Sequence, residues 1–190
     1  STGAAFCYAQ QDEAILQRFG IDTRYVRVGA PRGYRLQMDA DNSYVDIWGV
    51  RWRKPPSSLY WDMVGHPIAE PTLAALKAYR WPDPHDPGRT DGLRERARAL
   101  AEQREYAVVL DNTGFGAFEQ GWALRGFENF YTDLVAEPEF AEALMQGVAD
   151  YQIALYEHVL AEVGPYVDVV MVAEDLGSQD GPLISPETYR

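Results

Sequence analysis

Two short apolar runs separated by long helical stretches constrain this chain more than any other feature. Tyr106–Leu110 (Tyr-Ala-Val-Val-Leu) and Tyr166–Ala173 (Tyr-Val-Asp-Val-Val-Met-Val-Ala) are nearly continuous in apolar residues, as strands covered on both faces are. Between them Ala117–Val135 reads as mainly helical, and Pro138 opens a helix to about Val163. In that helix Phe140, Leu144, Val148, Leu155 and Val159 recur at helical spacing, and Gly164-Pro165 ends it. Strands joined by a helical crossover pair in parallel, which predicts an α/β class, either barrel or doubly wound sheet.

The earlier chain reads less regularly. Asp12–Phe19 is predicted as a short helix closed by Gly20, and Thr23–Val28 as a strand stopped by Gly29-Ala30-Pro31. Tyr34–Met38 and Tyr44–Trp52 suggest a hairpin across Asp39–Asn42, with Tyr44, Trp48 and Trp52 on one face. Pro71–Trp81 is predicted helical, Pro82–Thr90 a stiff Pro-rich connector, and Asp91–Glu105 an Arg-rich helix. Near the end, Ser185-Pro186-Glu187 has the pattern of a helix start: Ser as cap, Pro in the first turn, then an acid. That ending, and an opening without Met, lead to the expectation of a truncated chain. The reading is one incomplete domain over 1–190, with an N-terminal region and first barrel elements in 1–90 and βα units in 91–190. Such a piece is expected to expose strand edges, to be marginal or aggregation-prone, and to be inactive alone.

Charge excludes some partners. The net charge of −12 is concentrated from Tyr131 onward, where twelve acids face one base, Arg190. A phosphate-tracking surface needs a basic stripe, so nucleic acid is not expected as a partner. No apolar run approaches the roughly 20 residues that cross a bilayer, and no membrane association is expected. The lone cysteine, Cys7, rules out a disulfide within the chain and reads as an inert buried thiol, which suits a reducing cytoplasm.

In parallel α/β folds, functional groups gather in the loops after strand carboxyl ends. Three Gly-containing polar loops qualify: 29–33, 111–116 and 174–181. In the second, Gly114 and Gly116 precede a helix whose N–H groups could meet an anion, although a tight strand-to-helix turn also needs such glycines. The third holds adjacent carboxylates, Glu174 and Asp175. Alternation lets only one face a pocket, and Asp175 is the expected catalytic group with Glu174 or Asp180 as its partner. A turn-capping role for these acids is the alternative. Trp48 belongs to an aromatic-rich stretch that could stack a flat ligand or pack a core. His66, His85 and His158 are scattered, no pair has metal-ligand spacing, and no metal site is expected within these residues.

Several of these segments resemble the uroporphyrinogen decarboxylase superfamily. They are Phe19–Val26, Val45–Val50, Trp81–Pro84, Leu124–Asn129 with Pro138–Phe140 and, most strongly, Ala173–Glu187, which reads Ala-Glu-Asp-Leu-Gly-Ser-Gln-Asp-Gly-Pro-Leu-Ile-Ser-Pro-Glu. The resemblance implies a (β/α)8 TIM barrel, a fold of typically about 250 residues, of which this chain would be a C-terminally truncated part. It implies either porphyrinogen decarboxylation or the one-carbon chemistry of the branch resembling corrinoid-dependent methyltransferases and O-demethylases. Where the decarboxylase pattern has an early Asp this chain has Gly29, and no equivalent of its later Tyr follows Gly116-Ala117-Phe118-Glu119 before Arg125. Methyl transfer is therefore the expected function, with a methylated small molecule and a corrinoid protein as partners. In that branch zinc is bound by a His-x-Cys and a later Cys, ligands that would lie outside these residues. The same reading puts Asp175 at the barrel mouth, Gly114 and Gly116 at the substrate's approach, and Trp48 on its wall. Gln179 is counted with the substrate-binding residues; a tetracarboxylate would require a cluster of cations, for which Arg24, Arg27, Arg32 and Arg35 are the candidates, and Arg32 and Arg35 are the two counted as binding it. A non-catalytic small-molecule or sugar binder remains the reading from another class.

Overall fold

The computed structural model describes residues 12–103 and 105–189; Cys7 lies outside the described residues. The chain is mixed α/β and forms two compact units, neither of them a continuous stretch of chain. The first comprises the described residues up to Tyr34 together with Asp83–Gly114 and Ile153–Val172; the second comprises Arg35–Pro82, Phe115–Gln152 and the chain from Ala173 onward.

The first unit is organised around a three-stranded parallel sheet. Helix α1 (Glu13–Arg18) is capped by the Asp12 side chain, which accepts from Ala14 N, and leads into β1 (Thr23–Val26). Strand β5 (Ala107–Leu110) lies in the middle, pairing Thr23 with Ala107 and Val26 with Leu110 on one side. On its other side β5 pairs Val109 with Val169 of β6 (Val169–Val170), also in parallel, as the crossover expectation requires. Val108, Val109 and Leu110 are buried, as are Leu93 and Ala97 of α3 (Leu93–Gln103). Strand β1 buries alternate residues: Val26 faces the core, and so does Arg24. Arg24 remains satisfied because its guanidinium donates to both Glu13 carboxylate oxygens at 2.6 and 2.8 Å and to the carbonyls of Ile21 and Thr23. It also lies over the Tyr106 ring, 3.6 Å from its centre.

Strand β6 departs from expectation. It is two residues long rather than eight, and Val169, Val170 and Val172 are 48, 41 and 71% exposed. Its apolar sequence suits a strand covered on both faces, but among the described residues it pairs only with β5.

The second unit contains an antiparallel sheet of β2 (Ser43–Val45), β3 (Arg51–Arg53) and β4 (Asp62–Gly65), in that order. The expected strand over Tyr34–Met38 is absent, and Tyr44–Trp52 is a hairpin in itself rather than one strand. Asp46 makes the turn: its carboxylate accepts from Trp48 N, Val50 N and Trp52 Nε1 at 2.9–3.0 Å. Tyr44 and Trp52 are consequently paired across the ladder, while Trp48 lies in the turn and not on their shared face.

Helix α2 (Leu73–Ala78) starts at a Thr72 cap and stops short of Trp81. The expected Ala117–Val135 helix is two, α4 (Ala117–Arg125) and α5 (Phe127–Ala136), broken at Gly126, whose φ of 93° suits glycine. The break is held by a buried ion pair in which Arg125 Nε meets Asp133 Oδ2 at 2.7 Å, and Arg125 Nη1 donates to the Ala69 carbonyl. Helix α6 (Pro138–Val163) has the expected ends, and its five predicted core residues are all buried. A short β7–β8 hairpin (Gly177–Ser178, Gly181–Pro182) precedes α7 (Pro186–Tyr189), where Ser185 Oγ accepts from Thr188 N as its cap position predicts. Among the described residues no helix is long and apolar enough to cross a membrane.

Candidate functional site

The densest arrangement of polar chemistry in the second unit is built on the first turn of α4. Its cap residue, Gly116, has no side chain to satisfy the helix's free N–H groups. Glu174 does so instead: its carboxylate accepts from Glu119 N at 2.7 Å and from Phe118 N at 3.2 Å. A negative charge is favoured there by both the donors and the helix dipole. The approach is close enough that a Cβ on Gly116 would stand 2.0 Å from Glu174 Oε2. The anion-receptive helix start expected from the glycines is thus filled by the chain's own carboxylate.

Glu119 lies directly beneath this cap and is only 8% exposed. Burial raises its carboxyl to about 7, and the nearby charges of Asp175 and Glu174 push the same way, opposed by a hydrogen bond from the Asp175 amide. Three carboxyls therefore share one locus with different duties. Glu174 clamps the helix, Asp175 is exposed, and Glu119 retains its proton near neutrality.

The expectation for this loop selected Asp175 and Glu174, and the structure adds Glu119. The signal was present in the sequence, since an acid at the third helical position is a recurrent cap residue. Here it is buried, as are Phe118, Gln120 and Gly121 beside it in α4.

The other candidates are distributed differently. Gln179 is exposed at the β7–β8 turn. Trp48 packs edge-on against Tyr151 and Trp81, with ring centres 4.6 and 6.3 Å apart, and its carbonyl accepts from the Tyr79 hydroxyl. Those contacts are those of a packing residue. His66 is fixed by a 2.8 Å contact between Nδ1 and the Ala123 carbonyl. Arg35 is exposed.

In the first unit, Gly114 is exposed and open above its Cα. Arg32 pairs with Asp91 at 2.8 Å, and its backbone N donates to Asp86. Just past the carboxyl ends of β1 and β5, Arg27 Nε meets Asp111 Oδ2 at 2.5 Å. Among the described residues no group of three or more His, Cys, Asp or Glu side chains is placed to hold a metal ion.

Compared with protein-family models, with curated proteins and with solved structures, the chain matches none.

Proposed function

We propose that this chain is part of a TIM-barrel enzyme of the uroporphyrinogen decarboxylase superfamily, working in one-carbon (methyl) transfer from a methylated small molecule. The parallel order β1-β5-β6 supports the barrel, because a barrel is assembled from parallel strands linked by helices.

The observation that carries the choice of reaction is the state of the arginines. A polycarboxylate porphyrinogen would need a cluster of cations. Arg24 is buried against Glu13, Arg27 is paired with Asp111, and Arg32 with Asp91. A neutral methoxylated donor makes no such demand. Decarboxylation is the second reading.

The acid locus suits either reaction, since each must protonate what the departing carbon leaves behind. Demethylation leaves an oxygen anion and decarboxylation leaves a carbanion. A carboxyl that keeps its proton to about pH 7 can supply it near neutrality. In this reading Glu119 holds the proton, Asp175 passes it to the exposed side, and Glu174 fixes both by clamping α4. The corrinoid and zinc implied by the resemblance would serve as methyl acceptor and thiol-holding ion. Among the described residues no group of three or more His, Cys, Asp or Glu is placed to hold that thiol-binding zinc, and the roles given above fall to the carboxyls alone.

Asp175→Asn in the protein expressed from its complete gene tests the reading. Turnover of the methylated donor should fall about 10²-fold or more with donor affinity retained. Full turnover in the variant would remove Asp175 from the chemistry. Ligand binding with no turnover in the unmodified protein would instead favour a binding module.

A further inference from the structure

Two histidines that are far apart in sequence meet in the first unit. His85 stands exposed in the Pro-rich connector, and His158 is half-buried on α6. Their ring centres are 5.6 Å apart with planes at 78°. His158 Nε2 is buried and has no hydrogen-bond partner. Leaving such a nitrogen unpaired is costly, so the position calls for a partner from outside the protein's own hydrogen-bonding groups.

The connector holds His85 in place while leaving its ring free to turn. His85 N donates to Asp83 Oδ1 at 2.9 Å, and the next turn is fixed by Asp86, which accepts from Gly88 N and Arg32 N. Pro84 and Pro87 stiffen the backbone on either side. Two imidazoles bound to one ion, each nitrogen about 2.0–2.1 Å from it at a tetrahedral angle, have ring centres about 5 Å apart. The observed spacing is only about half an ångström greater, so a small shift and rotation of the exposed His85 ring would bring both nitrogens onto one ion.

We propose that His85 and His158 form a two-imidazole site for a borderline divalent transition ion such as Zn²⁺ or Ni²⁺, with water completing the coordination. Imidazole nitrogen suits these ions, whereas Mg²⁺ and Ca²⁺ require oxygen ligands. The site is independent of the acid locus on α4 and of the reaction proposed for it.

The test is calorimetric titration of the tag-free protein with Zn²⁺ in a Cys7→Ser background, which removes the one competing thiol. One ion should bind per chain, Mg²⁺ should not, and His85→Ala and His158→Gln should each weaken Zn²⁺ binding about tenfold or more. His85 is exposed, so its replacement leaves the fold intact even if the His158 variant is destabilised. In the unmodified protein, imidazole proton resonances of both residues should move together on Zn²⁺ addition. Absence of binding, binding unchanged in His85→Ala, or loss of binding on His66→Ala instead would overturn the proposal.

Discussion

Raising the pH from 5 to 8 should destabilise this protein through Glu119, and the size of the effect follows from its burial. A carboxyl ordinarily near 4.5 is raised to about 7 in the folded chain. The folded state therefore holds this proton more tightly than the unfolded state. The resulting stability is fully present below about pH 4.5 and is lost as the pH rises through 7. At 1.36 kcal/mol per pH unit the loss is about 3 kcal/mol when complete. For a chain of this size that corresponds to roughly 6–12 °C in Tm. Glu119→Gln replaces the buried acid by a group of similar shape that carries no charge at any pH. Urea unfolding of both proteins should give free energies within about 1 kcal/mol of each other at pH 5, with the variant more stable by up to about 3 kcal/mol at pH 8. The difference between the two profiles isolates Glu119 from every other titrating group. Parallel profiles from pH 5 to 8 would refute the reasoning, because Glu119 would then titrate as an exposed carboxyl does.

Other consequences can be measured on the same protein. Asp133→Ala leaves the buried Arg125 charge without its carboxylate and should cost about 3–5 kcal/mol in urea unfolding. Gly116→Ala places a Cβ where Glu174 Oε2 now lies, so the carboxylate must leave the α4 cap; a loss of about 1–3 kcal/mol is expected. Asp46→Ala removes the acceptor of three hydrogen bonds in the β2–β3 turn and should lower stability by about 2 kcal/mol or more, with Trp52 fluorescence shifted. Val170→Lys adds a charge to the exposed β6 edge and should reduce concentration-dependent light scattering without lowering Tm.

Where local chemistry decided the outcome, the sequence was readable. Pro138 and Gly164-Pro165 bound α6, and its apolar stripe faces the core at every predicted position. Tyr106–Leu110 lies within one residue of β5 because a short β-branched run has few alternatives to a buried strand. Reading failed where a polar side chain, rather than the apolar pattern, set the course of the backbone. Trp48 lies in a turn because Asp46 gathers three donors, which alternation of aromatic residues does not reveal. The α4–α5 break at Gly126 was hidden by apolar residues continuing through Leu124, Phe127 and Phe130, and it depends on Arg125 meeting Asp133.

The candidate site divided in the same way. Asp175 and Glu174 could be selected by the rule of strand carboxyl ends. Their separate duties could not, because they depend on Glu174 reaching the α4 amides across more than fifty residues of chain. Glu119 was visible only as an acid at a helix start; burial by its neighbours makes it unusual. The His85–His158 contact has no local signature at all.

Product analysis tests the proposed methyl transfer most directly. The protein expressed from its complete gene would be supplied in parallel with a methoxylated donor plus a reduced corrinoid, and with uroporphyrinogen. The expected result is methylated corrinoid and demethylated donor from the first mixture, and no carbon dioxide from the second. Carbon dioxide from uroporphyrinogen with no methyl transferred would contradict the account.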